Sequence, residues 1–463
     1  MAQIIIIGAG LAGLSTALFL ASEGHQVTLL ESDCAPPTSD DADEAFAHWE
    51  RRGAGQCRQT HMFLGLSSAE MTRGAPQVLD ILERGGALRF DDPELTAADG
   101  TPAPIIGARR IAYELALREA LGACPRVSIK PSVTVVSLLS TKGDPPRVTG
   151  VRLASGEDLP SELVVDCAGR WSMAHKWLVQ AGSRPVPEQR QACGFTYLTR
   201  WYRLRHGQVF PDVVPPASAR LPYMAVIVCP ADRGWLSVTL SLSEQDPFRR
   251  QLRVGDNFDR VAREVPVSLS FLERSKATTE PLPFGNIANQ RRTLVDEDGP
   301  LVCGYVLVGD SSMHTNPTQG RGASLAFAQA RHLAASLDRI DASSVDLVRS
   351  EEQWARSTLK VWFDAQVAAD AALADRFDTL AAGKPLAKPD EASRARGAML
   401  AALHEEPEIA REVRKMANML ITPAELMAIP RIKQAVSERL KSNRAWPEYV
   451  EVLPRQDFER LLA

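Results

Sequence analysis

Near the start of the chain, Gly8, Gly10, Gly13 and Glu31 have the residue types and spacing of a phosphate-and-ribose cradle. Gly8 permits a tight turn, Gly10 lets a pyrophosphate approach the main chain, and Gly13 lets a helix pack close against a sheet. That helix begins near Leu11 and Ala12, so its free N–H groups and positive dipole end face the phosphates. A carboxylate at Glu31 accepts hydrogen bonds from both ribose hydroxyls. An acid suits an unphosphorylated ribose, which favours FAD or NAD over NADP.

Further along, Asp310 is placed to accept hydrogen bonds from polyol hydroxyls, and Pro317 shapes a rigid turn beside an aromatic ring system. Gly320 and Gly322 open a helix whose N–H groups suit a site where negative charge collects on reduction. Between these ends, Arg51, Arg52, Gln56, Arg58, Gln59 and His61 cluster around Gly53 and Gly55. Such a loop lays cationic and amide groups along a pyrophosphate or ring edge. Arg110 precedes an apolar helical turn and is a phosphate or ribose candidate, whereas Arg118 is expected on the outer surface of that helix. His61 and His314 are candidates for polar contacts, with a structural role the more common outcome for each.

The elements that must position these groups follow from periodicity. Residues 4–7 are β-branched throughout, as in a strand covered on both faces, and a helix, a turn at Gly24 and a second strand over 27–30 complete a βαβ unit. Three glycines and the register running on to Glu31 argue against a signal peptide or membrane helix. A helix is expected over 79–82 and another over 109–121. The period then changes to two, predicting strands in 127–131, 133–139, 148–156 and 162–169.

Residues 195–202 also alternate: Phe195, Tyr197, Thr199 and Trp201 share one face, and Thr196, Leu198, Arg200 and Tyr202 the other. Strands over 224–229 and 235–242 and a helix over 254–265 extend a β-rich unit. One aromatic face of it is expected to roof a pocket, with Tyr197, Trp201, Tyr223, Trp235 and Pro317 as candidates beside the reacting groups. An apolar strand enters Gly309-Asp310. Beyond residue 330 the chain reads as helical, broken at Gly383, with a capping box and first-turn proline at Thr422-Pro423-Ala424-Glu425. The acidic, proline-containing stretch 32–46 reads as a loop.

The fold class expected is α/β (α+β overall): a Rossmann-like dinucleotide-binding domain over 1–179, a β-rich substrate domain over 180–300, a returning strand and turn over 301–335, and a helical C-terminal region over 336–463. The 463 residues allow two or three domains. A net charge of -4 and the lack of a Lys/Arg run leave no nucleic-acid face. Seven scattered cysteines without a CxxC pair point to a reducing, cytoplasmic setting and to neither a disulfide framework nor a metal site. No other segment has membrane-spanning length free of charges.

The two glycine motifs together, GxGxxG…E at the N-terminus and GD…NPxxGxG near residue 310, resemble the FAD-dependent monooxygenases of the aromatic-hydroxylase superfamily over most of residues 1–330. The stretch RRGAGQCRQTH resembles the RxGVPQ…H segment of the branch holding bacterial flavin-dependent epoxidases and tailoring enzymes of secondary metabolism. The resemblance implies that Gly8, Gly10, Gly13 and Glu31 hold the ADP half of FAD, and that Arg51 and Arg110 serve the phosphate and ribityl region. It assigns Asp310 to the ribityl chain, and Pro317, Gly320 and Gly322 to the isoalloxazine.

Three positions depart from the pattern: Ala168-Gly169 replaces Asp-Gly after the returning strand, Gly55 replaces the proline of the Gly-Val-Pro-Gln segment, and Arg321 replaces the common glutamine. The first leaves reductant docking open. No WxWxIP signature or halogenase lysine motif is present, so halogenation is not expected.

What the resemblance implies for function is epoxidation or hydroxylation of an apolar organic substrate with O2, through a flavin C4a-hydroperoxide. Electrons would come from NAD(P)H, directly or through a flavin reductase. No base is identifiable in the sequence, which favours an alkene over a phenol. A prenyl-reductase-type FAD enzyme and a non-catalytic FAD-binding protein share the same fold features and stand as alternatives.

Overall fold

The computed structural model describes residues 1–37, 41–212, 217–442 and 446–463. Residues 38–40 of the acidic loop therefore lie outside the described residues. A parallel sheet forms the base of the molecule, with strand order Tyr305–Leu307, Leu163–Asp166, Gln3–Ile7, Gln26–Leu30 and Val127–Lys130. Its central strands are apolar on both faces because helices cover both. The helix Leu11–Ser22 is buried at ten of its positions and packs between Arg110–Gly122 and Gly322–Leu337. Gly13 makes this possible: a Cβ there would lie 1.9 Å from the Gly8 carbonyl oxygen. The cradle glycines and the turn after Gly309 thus sit side by side at the carboxyl edge of one sheet.

A separate antiparallel sheet has the order Ala217–Arg220, Met224–Pro230, Trp235–Ser243, Phe195–Leu204, Ser275–Ala277, with Leu282–Phe284 also paired to Phe195–Leu204. Its central pair runs from Phe195 opposite Ser243 to Arg203 opposite Trp235. A three-stranded sheet, Glu188–Ala192, Ala288–Arg292 and Met313–His314, stitches the turn beyond Asp310 to this layer through the Gln290–His314 pair.

The C-terminal region is helical. The amphipathic run after residue 343 is two α-helices, Val345–Trp354 and Lys360–Ala381, joined by a π-turn at Ala355–Leu359. Helices Glu391–Glu405, Pro407–Ala417, Pro423–Ala428, Pro430–Lys441 and Arg455–Leu462 follow. Thr422 and Glu425 close the expected capping box. The buried stripe of Lys360–Ala381 is Trp362, Phe363, Gln366, Asp370 and Phe377. Two polar residues in that stripe signal that it faces something other than an apolar core. All seven cysteines are free. Among the described residues no helix is long and apolar enough to cross a membrane, and no cluster suited to a metal ion occurs.

Candidate functional site

At the first glycine turn the backbone is committed by geometry. Gly8 has φ +96°, and a Cβ on it would stand 2.6 Å from the Cys167 carbonyl oxygen. Gly10 is different: its nearest neighbours are two guanidinium tips, Arg110 Nη2 at 3.3 Å and Arg51 Nη2 at 4.0 Å from a Cβ position. A glycine facing two cations beside a helix N-terminus is a fitting seat for a diphosphate.

The arginines are held from behind. Glu114, fully buried, lies 3.2 Å from Arg51 Nε and 2.8 Å from Arg110 Nε. Burial pushes its carboxyl up, but the two arginines outweigh it and hold it below the usual range. Arg51 also pairs with Glu31 at 3.0 Å and Asp33 at 2.9 Å. Glu31 in turn accepts the Ala9 N–H at 3.0 Å and the Asp33 N–H at 3.0 Å.

The second end is organised by Asp166, at the tip of a central strand. It accepts hydrogen bonds from Tyr305 at 2.6 Å, Ser172 at 2.5 Å, Ser311 at 3.0 Å and the Ala168 N–H at 2.8 Å. This ties the turn carrying Asp310 to the sheet. His314 Nδ1 lies 3.1 Å from the Asp310 carboxylate, and His314 Nε2 is buried without a partner. Burial raises the Asp310 carboxyl, but His314, Arg110 and Arg170 prevail and keep it low.

The next turn is fixed by Asp370. It accepts hydrogen bonds from Asn316 Nδ2 at 2.9 Å, Asn289 Nδ2 at 2.7 Å and Gln366 Nε2 at 2.8 Å, while Asn289 Oδ1 accepts the Asn316 N–H at 2.7 Å. Burial pushes the Asp370 carboxyl up. Gly320 takes the left-handed conformation at φ +65°, and the helix Gly322–Leu337 begins with no side-chain cap, leaving N–H donors free. Arg321 turns away over Trp362, 4.9 Å from the ring centroid, with burial lowering its pKa to about 10.

One cavity of ≈ 1540 Å³ joins the two ends. Gly8, Gly10, Leu11, Ala12, Glu31, Arg51 and Arg110 line it on one side, and Asp310, His314, Pro317, Gly320 and Gly322 on the other. Gly13 does not line it; its role is helix packing. From the loop 51–61, Gln56, Gln59 and His61 face the cavity. Burial lowers the His61 pKa to about 4, so the ring is neutral at pH 7. Arg52 instead points to solvent beside Glu50, and Arg58 binds the Phe46 and Ala47 carbonyls.

The aromatic roof is a correction. Tyr197, Trp201, Tyr223 and Trp235 are buried and none borders the cavity. Trp201 and Trp235 pack with Phe46, their indole N–H groups bound to the Arg58 carbonyl at 2.7 Å and to Asp43 at 2.9 Å. Tyr223 packs on Phe458 and donates to the Leu453 carbonyl at 2.9 Å. Tyr197 donates to Asn316 Oδ1, supporting the Asn316–Pro317 turn from behind. The polar tips therefore satisfy protein groups, as buried aromatic residues require. Arg118 is also corrected: it reaches the Ala9 carbonyl at 3.2 Å over the Trp49 ring, inward from the helix surface. Sequence reading missed Glu114, Asp33, Asp166 as a hub, and Asp370. A buried acid four residues after Arg110 was the available signal for Glu114.

Over residues 3–100 the chain matches the family model described as FAD dependent oxidoreductase. It is 26% identical to Protein Rv3254 of Mycobacterium tuberculosis, an alignment covering 77% of this chain and 78% of that one. The fold is similar to p-nitrophenol 4-monooxygenase PnpA of Pseudomonas putida DLL-E4, with TM-score 0.59, 17% identity and coverage of 91% of this chain and 100% of that one. It is also similar to the flavin-dependent halogenase CmlS, with TM-score 0.62, 17% identity and coverage of 94% and 77%. The architecture is thus similar to that of both solved enzymes.

Proposed function

We propose that the chain is an FAD-dependent monooxygenase acting on an apolar organic substrate, by epoxidation or hydroxylation. The observation that carries this reading is the continuous cavity from Glu31 and Gly10 to the Asp310–Gly322 turn, with fitting donors at both ends. Its ≈ 1540 Å³ exceeds the roughly 300–1,000 Å³ of a single-ligand pocket, leaving room for a cofactor and a second molecule.

In this reading Glu31 takes the adenosine ribose, and Arg51, Arg110 and the helix at Leu11 take the diphosphate. Asp310 takes the ribityl hydroxyls, and Pro317 to Gly322 face the ring. When bound and reduced, FAD supplies the two electrons that let O2 give one atom to the substrate and the other to water. The balance is substrate, O2, NAD(P)H and a proton going to oxygenated substrate, water and NAD(P)+.

The protein's own part is to orient and to exclude water. Asp370 has both oxygens committed to amide donors, so it holds the Asn316 turn and is not free to abstract a proton. Neutral His61 adds no charge near the ring. Among the described residues the carboxylates at this turn, Asp310 and Asp370, are both engaged, which favours a substrate that needs no deprotonation.

The test is turnover of candidate alkenes and arenes under 18O2 with NADH or NADPH, with and without a flavin reductase. One labelled oxygen atom per product molecule is expected. Product formed at the same rate without O2 would overturn the reading in favour of hydride transfer.

A further inference from the structure

The cavity continues past the Pro317 turn to a second polar group. Arg220, Arg376 and Arg396 line that end, and the carboxylate paired with them among the described residues is Glu448. Glu448 is spent on two of them: Oε2 lies 3.5 Å from Arg376 Nη1 and Oε1 lies 2.9 Å from Arg396 Nε. Arg376 Nε is buried with no hydrogen-bond partner. The Arg220 guanidinium, reached by water inside the cavity, makes no hydrogen bond or ion pair among the described residues. Partial burial holds the pKa values of Arg220 and Arg376 below the ordinary one, and each feels the charge of a neighbouring arginine or of Glu448. Arg220 also faces buried Arg321 electrostatically. Three guanidinium groups against one carboxylate leave positive charge in excess at this end, which a bound anion would offset.

Apolar Leu373, Phe377 and Leu400 line the same cavity. The helix Lys360–Ala381 carries Asp370 behind the turn and Arg376 at the cationic end. Six residues of helical rise separate them, about 9 Å along the axis.

We propose that the Arg220–Arg376 end of the cavity binds the carboxylate of an amphipathic substrate whose apolar body extends to the Pro317 turn. This rests on the proposed function for what happens at the turn, and it narrows the substrate class to apolar acids. A planar carboxylate matches the fork of Arg220 and the free Nε of Arg376.

The test is calorimetric titration of the protein as purified with decanoate, decanol and decylamine. Decanoate is expected to bind about tenfold or more tightly than decanol, with decylamine weakest. R220Q and R376Q, each made singly, are expected to remove that preference while flavin content stays at the wild-type level. Equal binding of decanoate and decanol, tighter binding of decylamine, no binding of decanoate, or a preference that survives both variants overturns the proposal. Flavin absorbance of the same samples separates the two readings. Carboxylate selectivity in protein that cannot take up FAD keeps the anion site and sinks the cofactor, and flavin-loaded protein without selectivity does the reverse.

Discussion

Replacing Glu114 by Gln tests whether the diphosphate end is held by a buried charge network. Glu114 is inaccessible to solvent, 2.8 Å from Arg110 Nε and 3.2 Å from Arg51 Nε, and the side chains of those arginines are 11% and 2% exposed. Breaking one buried ion pair costs about 3–5 kcal/mol, because a charge is left without its partner. Arg51 keeps Glu31 and Asp33, so the loss falls chiefly on Arg110, for which Glu114 is the hydrogen-bond partner found. The amide oxygen of Gln restores one neutral hydrogen bond, about 1 kcal/mol.

The net expectation for E114Q is a loss of about 2–4 kcal/mol. Urea unfolding followed by tryptophan fluorescence and circular dichroism measures it. A cycle with R110Q should show coupling of at least about 1.5 kcal/mol, since the double variant removes the orphaned charge. FAD affinity should fall about tenfold as Arg110 Nη2 loses its alignment over Gly10. Stability within about 0.5 kcal/mol of wild type, or strictly additive single variants, would refute the network.

Two further outcomes follow from the same geometry. Gly13→Ala places a Cβ 1.9 Å from the Gly8 carbonyl, so the helix must leave the sheet; soluble expression and flavin content should both collapse, whereas Gly24→Ala, with open space around it, should retain flavin at some cost from its positive φ. His61 is held down to about 4 from an ordinary 6.5, so the unfolded chain takes up more protons between those values, and stability should be full above about pH 6.5 and fall toward pH 4. The gap corresponds to at most about 3 kcal/mol, reduced because the ring borders the cavity, and H61Q should flatten that part of a pH–stability profile.

The parts of the site that could be read from sequence are those in which a local rule fixes a local geometry. Gly8, Gly10 and Glu31 sit on one βαβ unit, and the turn from Asp310 to Gly322 is a single strand-loop-helix, so spacing alone picks out two motifs that the fold sets along one cavity. Partners brought together by the fold were invisible. Asp370 lies 54 residues beyond Asn316, on a helix whose alanine-rich composition reads as ordinary. Asp166 binds Tyr305 and Ser311 across 139 and 145 residues. The aromatic assignment failed for a related reason. Alternation in residues 195–202 says which side chains share a face, but not what covers it. Phe46 and Phe377, from distant helices, cover that face, so its aromatic side chains do not reach the cavity. Arg118 was misplaced because an arginine on an amphipathic helix is ordinarily solvated.

The central claim is that this chain holds a dinucleotide flavin along its whole length, adenosine ribose at Glu31 and ring at Pro317. Titration of flavin-free protein with FAD and with FMN, followed by quenching of flavin fluorescence, tests that directly. One FAD per chain is predicted, with FMN at least about a hundredfold weaker because it lacks the half that Gly8, Gly10 and Glu31 recognise. Absence of FAD binding, or FMN binding as tightly as FAD, would contradict the account.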